Sequence, residues 1–368
     1  MKRRSFVVGS AAAMIMGGEP QALAAVESLA EKARRKGLIF GCAVRGDTLV
    51  ADKEFAAAVA RDAGMLVHEY EMKRSLLEQT AGNIILTPAE PVIQFARKNK
   101  QAMRGTPLVW YKSNPGWLGA ALDDARNPGE KEKLLTGYVS SLVGSFAGAF
   151  HSWDVVNEPV EPNEGRNDGM RADSIWFRAF GEDYIRLAFE TARAADPKVL
   201  LMINDYNVEH ASRGNEARRT ASLKLLERLK SKNVPIDGFG IQGHIKLYRD
   251  RFDQRVYGRF LDELLALGLK IMITEFDVSD KEGPSDSGKR DSDVAEVTRQ
   301  FLDVSLENKA TLGVLTWGLS DRYSWLTEDP SQRRPDGLSS RGLPLDVNLN
   351  RKPMWGQIAA AFDAAAAR

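Results

Sequence analysis

Two glutamates stand in apolar, strand-like runs: Glu158 in Trp153-Asp154-Val155-Val156-Asn157-Glu158-Pro159, and Glu275 in Ile271-Met272-Ile273-Thr274-Glu275-Phe276-Asp277-Val278. An ionised carboxylate at the end of such a strand is costly to desolvate, so its position there calls for a use. Two strands of one fold could aim both carboxylates into a single cleft. Paired carboxylates flanking a bond are the working parts of glycosidic hydrolysis, one attacking or activating water while the other protonates the departing oxygen. A retaining pair sits about 5–5.5 Å apart, and an inverting pair wider, to admit a water. Either glutamate alone fits a structural ion pair equally well; together with their neighbours they favour chemistry.

Different surroundings set different roles. Asp277 follows Glu275 by two residues, and His244 closes the run Gly240-Ile241-Gln242-Gly243-His244. An imidazole held by Asp277 and donating to Glu275 keeps that carboxylate ionised, as a nucleophile requires. Glu158 lies between Val155-Val156 and Pro159, apolar company that favours the protonated form of a general acid. The reading is therefore Glu158 as acid/base and Glu275 as nucleophile, with Asn157, Gln242, His244 and Asp277 in support. Asn157 is set to turn its amide toward a sugar 2-hydroxyl, and capping the strand end is the alternative. Trp110, Trp317, Trp325 and Tyr206 fall at or just past strand ends, where their rings can stack on sugar faces; Trp117, Trp176 and Trp355 are assigned to packing.

The elements that must position these residues alternate along the chain. Short apolar runs occur at 38–44, 65–68, 107–111, 152–157, 199–204, 238–242, 270–275 and 312–317, and their Val/Ile/Leu/Met content suits strands covered on both faces. Amphipathic stretches separate them at 52–63, 130–146, 176–194, 217–232, 254–267 and 293–308, with a closing helix at 354–367 and Leu223, Leu226 and Leu229 as an inward helix face. Eight strands alternating with helices, with the polar candidates at strand C-termini, predict an α/β fold of the (β/α)8 TIM barrel type, as a single domain over residues 25–368. Polar loops at 161–173, 279–292 and 328–340 would decorate its mouth.

With 368 residues, 43% of them hydrophobic, and a formal net charge of +1, the chain can bury a large core and offers no basic stripe. Nucleic acid is thereby excluded as an expected partner, and a neutral polysaccharide fits better. Residues 1–24 read as an export signal of the twin-arginine type: Arg3-Arg4 precede a short apolar run and an Ala22-Leu23-Ala24 cleavage site. The mature protein is then periplasmic or secreted, without a membrane span, and is expected to be a monomer. Cys42 is the only cysteine, in a buried first strand, and the four histidines show no metal spacing, so neither a metal nor a cofactor is expected.

In this order the motifs WDVVNEP (153–159), NDYN (204–207), GIQGH (240–244), ITEFDV (273–278) and TWGLSDRYSW (316–325) resemble glycoside hydrolase family 10, the retaining endo-β-1,4-xylanases on a (β/α)8 barrel. The resemblance spans essentially the whole mature chain. It implies Glu158 as acid/base, Glu275 as nucleophile, and Asn157, Gln242, His244 and Asp277 as the supporting shell. It further implies substrate contacts from Glu69, Lys73, Trp110, Tyr206, Asn207, Trp317 and Trp325, with Tyr206 and Asn207 near the leaving group. The sequence departs from the family where Tyr70 stands for an asparagine, Arg74 for a tryptophan, Thr106 and Tyr111 for histidines, and Ser113 for a glutamine. These changes touch the glycone pocket, and Lys73 with Arg74 would favour a carboxylate-bearing sugar, unless Arg74 is solvated at the rim. Three readings follow: a xylanase; the same chemistry on another β-linked polymer, such as an acidic bacterial exopolysaccharide or a substituted xylan; or a catalytically silent carbohydrate-binding barrel, which the intact pair argues against.

Overall fold

The computed structural model describes residues 27–368, so the leader read at 1–24 lies outside the described residues. Ten strands form one sheet: β1 (Ile39–Val44), β2 (Met65–His68), β3 (Ala102–Gly105), β4 (Val109–Trp110), β5 (Ser152–Asn157), β6 (Leu200–Asp205), β7 (Gly238–Ile241), β8 (His244–Lys246), β9 (Lys270–Ser279) and β10 (Thr311–Thr316). All ladders are parallel, and β10 pairs with β1 as well as β9, which closes the sheet. β3 and β4 each pair with β5 and share one barrel position, while the short β8 extends the edge of β9. The result is a closed eight-stranded parallel barrel in a single domain. No helix among the described residues is long and apolar enough to cross a membrane.

Strand residues alternate between two cores. Ala43, Met65, Val67, Met202, Met272 and Leu315 form a small inner cluster, while Trp153, Val155, Ile203, Phe239 and Ile273 join the larger core beneath the helices. Asp154 pairs in register with the inward Met202 and forms a two-pronged, fully buried ion pair with Arg104. Cys42 is fully buried, as expected.

Four expectations are corrected. The third barrel strand begins at Ala102, not at 107, because Arg104 and Gly105 hide its apolar character: Arg104 points into the barrel toward Asp154, and Gly105 lies against Trp153. The helix expected over 176–194 is two helices, Ile175–Phe180 and Asp183–Ala195, parted at Gly181 with φ of +61°. The loop expected at 279–292 turns helical at Ser287, where Asp286 accepts from the Lys289 amide at 2.6 Å. On the helix Arg213–Ser231 the buried face runs through Leu225, Leu226 and Leu229, leaving Leu223 half-buried.

Gly105 is required by close approach. A Cβ there would meet Trp153 Cε3 at 2.0 Å, and both residues belong to paired strands that cannot separate without breaking the ladder. Gly105→Ala is expected to destabilise the protein by about 1–3 kcal/mol or more, the range for overpacking. Chemical unfolding of the variant beside wild type measures this.

Candidate active site

Glu158 follows the last residue of β5 with a left-handed backbone, φ +54°, a conformation that costs a non-glycine residue on the order of 1–3 kcal/mol unless its surroundings hold it. They do. Its amide donates to the Asn204 carbonyl at 2.8 Å, and its carbonyl accepts from Arg171 Nε at 2.9 Å. This backbone turn accompanies a carboxyl that receives three neutral donors: Trp110 Nε1 to Oε2 at 3.0 Å, and Gln242 Nε2 and Asn157 Nδ2 to Oε1 at 2.9 and 3.2 Å.

Glu275 lies mid-strand in β9 and receives a different set. Asn204 Nδ2 donates to Oε1 at 2.8 Å, and His244 Nε2 lies 3.4 Å from Oε2. His244 Nδ1 in turn faces Asp277 Oδ1 at 3.0 Å, while Trp325 Nε1 donates to Asp277 Oδ2 at 2.6 Å and sets its ring 5.0 Å from the imidazole. Burial opposes a charge on His244, but Asp277 and Glu275 outweigh it and push the imidazole up to about 10. Glu275 therefore faces an imidazolium, whereas the hydrogen bonds to the Glu158 carboxyl among the described residues come from neutral donors, with Lys73 and Arg171 felt at longer range.

That raised value makes stability pH-dependent. Unfolded, the ring titrates near 6.5; folded, it holds its proton to about 10. Below 6.5 the stabilisation is fully present. Between 6.5 and 10 the folded state binds the extra proton, so stability falls as pH rises and the contribution is lost by about 10. His244→Gln is expected to remove this part of the slope, and thermal unfolding of both proteins from pH 6 to 10 would reveal it as a difference that shrinks with pH.

Asn204 joins the two carboxylates. Fully buried in β6, it donates to Asn157 Oδ1 at 2.9 Å and to Glu275 Oε1 at 2.8 Å, while Thr274 Oγ1 donates to its own Oδ1 at 2.7 Å. Its side chain was not singled out from sequence, although it opens the NDYN motif. The signal available was a polar residue inside the apolar run 199–204.

Glu158, Gln242, His244, Glu275 and Asp277 line one cavity of about 420 Å³ together with Lys73, Trp110, Tyr206, Asn207, Trp317 and Trp325. Tyr206 is held by its hydroxyl, which donates to Glu161 Oε2 at 3.0 Å and accepts from Arg171 Nη2 at 3.1 Å, with the Arg218 guanidinium 4.1 Å from its ring. Asn157 lies deeper, buried beside this wall and lining a smaller void with Trp176; one of its two amide hydrogens goes to Glu158. Glu69, beside the wall residues Tyr70 and Lys73, is 6% exposed, and burial pushes its carboxyl up to about 7 against the pull of Arg45.

Residues 28–361 fit the model described as Glycosyl hydrolase family 10. The chain belongs to that family. It is 33% identical over 306 residues to Endo-1,4-beta-xylanase B of Thermotoga neapolitana, covering 82% of each protein. With Endo-1,4-beta-xylanase 1 of Humicola insolens the identity is 30% over 348 residues, covering 93% of this chain and 75% of the other. The solved structure of native xylanase 10B from Thermotoga maritima matches with a TM-score of 0.81 at 30% identity, covering 91% of this chain and 98% of that one. This family 10 protein is a glycoside hydrolase.

Its departures from the family pattern now have positions. Tyr70 lines the cavity at 40% exposure with the Lys73 ammonium 4.3 Å from its ring centroid, and Tyr111 lines it under the Arg171 guanidinium at 3.9 Å. Thr106 is buried and off the wall, its hydroxyl without a partner among the described residues. Ser113 takes a left-handed backbone, φ +53°, and its carbonyl accepts from Ser75. Arg74 is neither solvated at the rim nor turned to the main cavity. It is 4% exposed, pairs with Glu78 at 2.7 Å, and packs its guanidinium 4.3 Å from the Tyr138 ring. A role for Arg74 beside Lys73 in binding an acidic sugar is thereby overturned, since its charge is already matched inside the protein.

Proposed function

We propose that the protein is a retaining endo-β-1,4-glycanase whose substrate is xylan, working by double displacement. Glu275 attacks the anomeric carbon and forms a covalent glycosyl-enzyme, while Glu158 gives its proton to the departing glycosidic oxygen. Glu158, now a carboxylate, then takes a proton from the water that releases the glycosyl group, and the configuration at the anomeric carbon is retained.

One observation carries the assignment of roles: in a shared cavity, Glu275 lies against an imidazolium, while the hydrogen bonds to the Glu158 carboxyl among the described residues come from the neutral Trp110, Gln242 and Asn157. A charged partner suits the group that must attack the sugar, and uncharged partners suit the group that must exchange a proton with the leaving oxygen. His244 and Asp277 hold the nucleophile's charge, Asn204 and Asn157 position the pair, and Trp110, Tyr206, Trp317 and Trp325 offer ring faces to the sugars. The names of the relatives support xylan as the polymer.

A second reading keeps this chemistry and changes the polymer. Tyr70 and Tyr111 favour it, because aromatic surface replaces hydrogen-bonding side chains in the cavity wall. Incubation with xylans, glucans and acidic exopolysaccharides, with products identified by mass, separates the two. Release of short xylo-oligosaccharides is the expected outcome, and cleavage of another polymer with negligible release from xylan favours the second. Export to the periplasm or medium rests on residues 1–24 alone, and a mature protein beginning at Ala25 would support it.

A further inference from the structure

Two lysines on the cavity wall, Lys112 and Lys246, form no salt bridge among the described residues. Lys73 is matched: its ammonium lies 4.3 and 5.5 Å from the ring centroids of Tyr70 and Trp110, in the field of Glu275, Glu69 and Glu158. Lys246, the last residue of β8, is half-buried. Its Nζ donates to the neutral Asn207 Oδ1 at 2.8 Å and forms no salt bridge among the described residues. Glu209 and Asp250 are close enough to be felt, but Arg249 and Arg218 oppose them. Lys112 is exposed, with Nζ 5.1 Å from the Tyr111 ring centroid and 5.8 Å from that of Trp110, and it too has no salt bridge among the described residues. An ammonium has three donors; most of these six are unclaimed.

The two cations share one flank. β4 pairs with β5, β5 with β6, β6 with β7, and β8 follows β7 directly. Lys112, Glu158, Asn207 and Lys246 therefore stand along consecutive barrel positions, with Glu158 between the lysines. If Glu158 protonates the leaving oxygen, this flank receives the departing part of the chain. Of the acid groups on the same wall, Asp277 bonds His244 and Trp325, while Asp329 accepts from the Ser331 amide and is felt by Lys112 without a salt bridge.

We propose that Lys246, with Lys112, forms a subsite for a sugar carboxylate on the departing part of the polysaccharide. The ligand is a uronate, carried either as a branch on the main chain or as a main-chain sugar. Lys246 supplies a charge-assisted hydrogen bond from a position fixed by Asn207, and Lys112 supplies a second positive charge over the aromatic wall. This inference rests on the glycanase reading above.

The test compares wild type, Lys246→Met and Lys112→Met on three oligosaccharides of equal length: plain xylo-oligosaccharide, the same chain bearing a glucuronate branch, and a β-1,4 chain with a main-chain uronate. The readout is kcat/KM for each charged substrate divided by that for the plain one. Lys246→Met is expected to lower this ratio about tenfold for one of the charged substrates, Lys112→Met by less, and added salt to lower the wild-type ratio. Whichever charged substrate responds identifies the source of the carboxylate. Equal losses on charged and plain substrates, or no change in either ratio, would overturn the subsite alone. A wild-type protein that cleaves none of the three would overturn the glycanase reading with it.

Discussion

Replacing Glu275 by alanine is expected to lower kcat on xylan by about 10⁴-fold or more, because no other group can form the glycosyl-enzyme. The fold should persist: the carboxylate is a partly exposed side chain on the cavity wall, and its loss leaves His244 paired with Asp277. Azide, small enough to enter the vacated space, should restore part of the activity on an aryl glycoside with a good leaving group. Attack then comes from the nucleophile's face in one displacement, so the glycosyl azide must have the configuration opposite to the substrate. Activity within tenfold of wild type, or an azide product of unchanged configuration, would remove Glu275 from its role.

Glu158→Ala should behave differently, and the difference is diagnostic. On xylan, whose leaving group is a sugar alcohol, kcat/KM is expected to fall about 10²–10⁴-fold through loss of protonation. On a dinitrophenyl glycoside the first step needs little help and should survive, while the second, without its base, becomes slow. The glycosyl-enzyme should then accumulate, visible as a burst of phenolate followed by a slow steady state. Azide should quicken that second step and yield a product of retained configuration, because Glu275 has already inverted the centre once. Equal losses on both substrates, without a burst, would point to a structural part for Glu158.

The barrel was legible because its strands carry apolar runs that need no partner to be recognised. Where a strand is built from long-range pairing, the pattern fails. β3 contains Arg104, acceptable there only because Asp154 arrives from β5 to meet it, and Gly105, acceptable because Trp153 fills the space. Local signals were present for other misreadings: Gly181 at the helix break, Asp286 at the early helix start, and Glu78 four residues after Arg74. The last gives an ion pair on a single helical face and was enough to remove Arg74 from the substrate side.

The candidate site divides in the same way. Glu158, Glu275, His244 and Asp277 could be named because carboxylates and an imidazole at strand ends are conspicuous by type. Asn204 could not, since its importance lies in touching Asn157 on β5 and Glu275 on β9 at once. Nor could the burial of Glu69, whose carboxyl feels the charges of Arg45 and Glu328, residues remote from it in sequence. Lys112 and Lys246 carry no local signal in the sequence, and only the fold brings them to the same flank as Glu158.

The central claim is that Glu275 bonds covalently to the sugar while Glu158 serves the leaving group. Incubation with a dinitrophenyl 2-deoxy-2-fluoro-β-xylobioside tests it most directly, because the fluorine slows both steps and the good leaving group lets the first proceed. Mass spectrometry of the digested protein should find one fluoroxylobiosyl group, on the peptide containing Glu275 and bonded to that carboxylate. A label on any other residue, or an unlabelled protein that releases product of inverted configuration, would contradict the account.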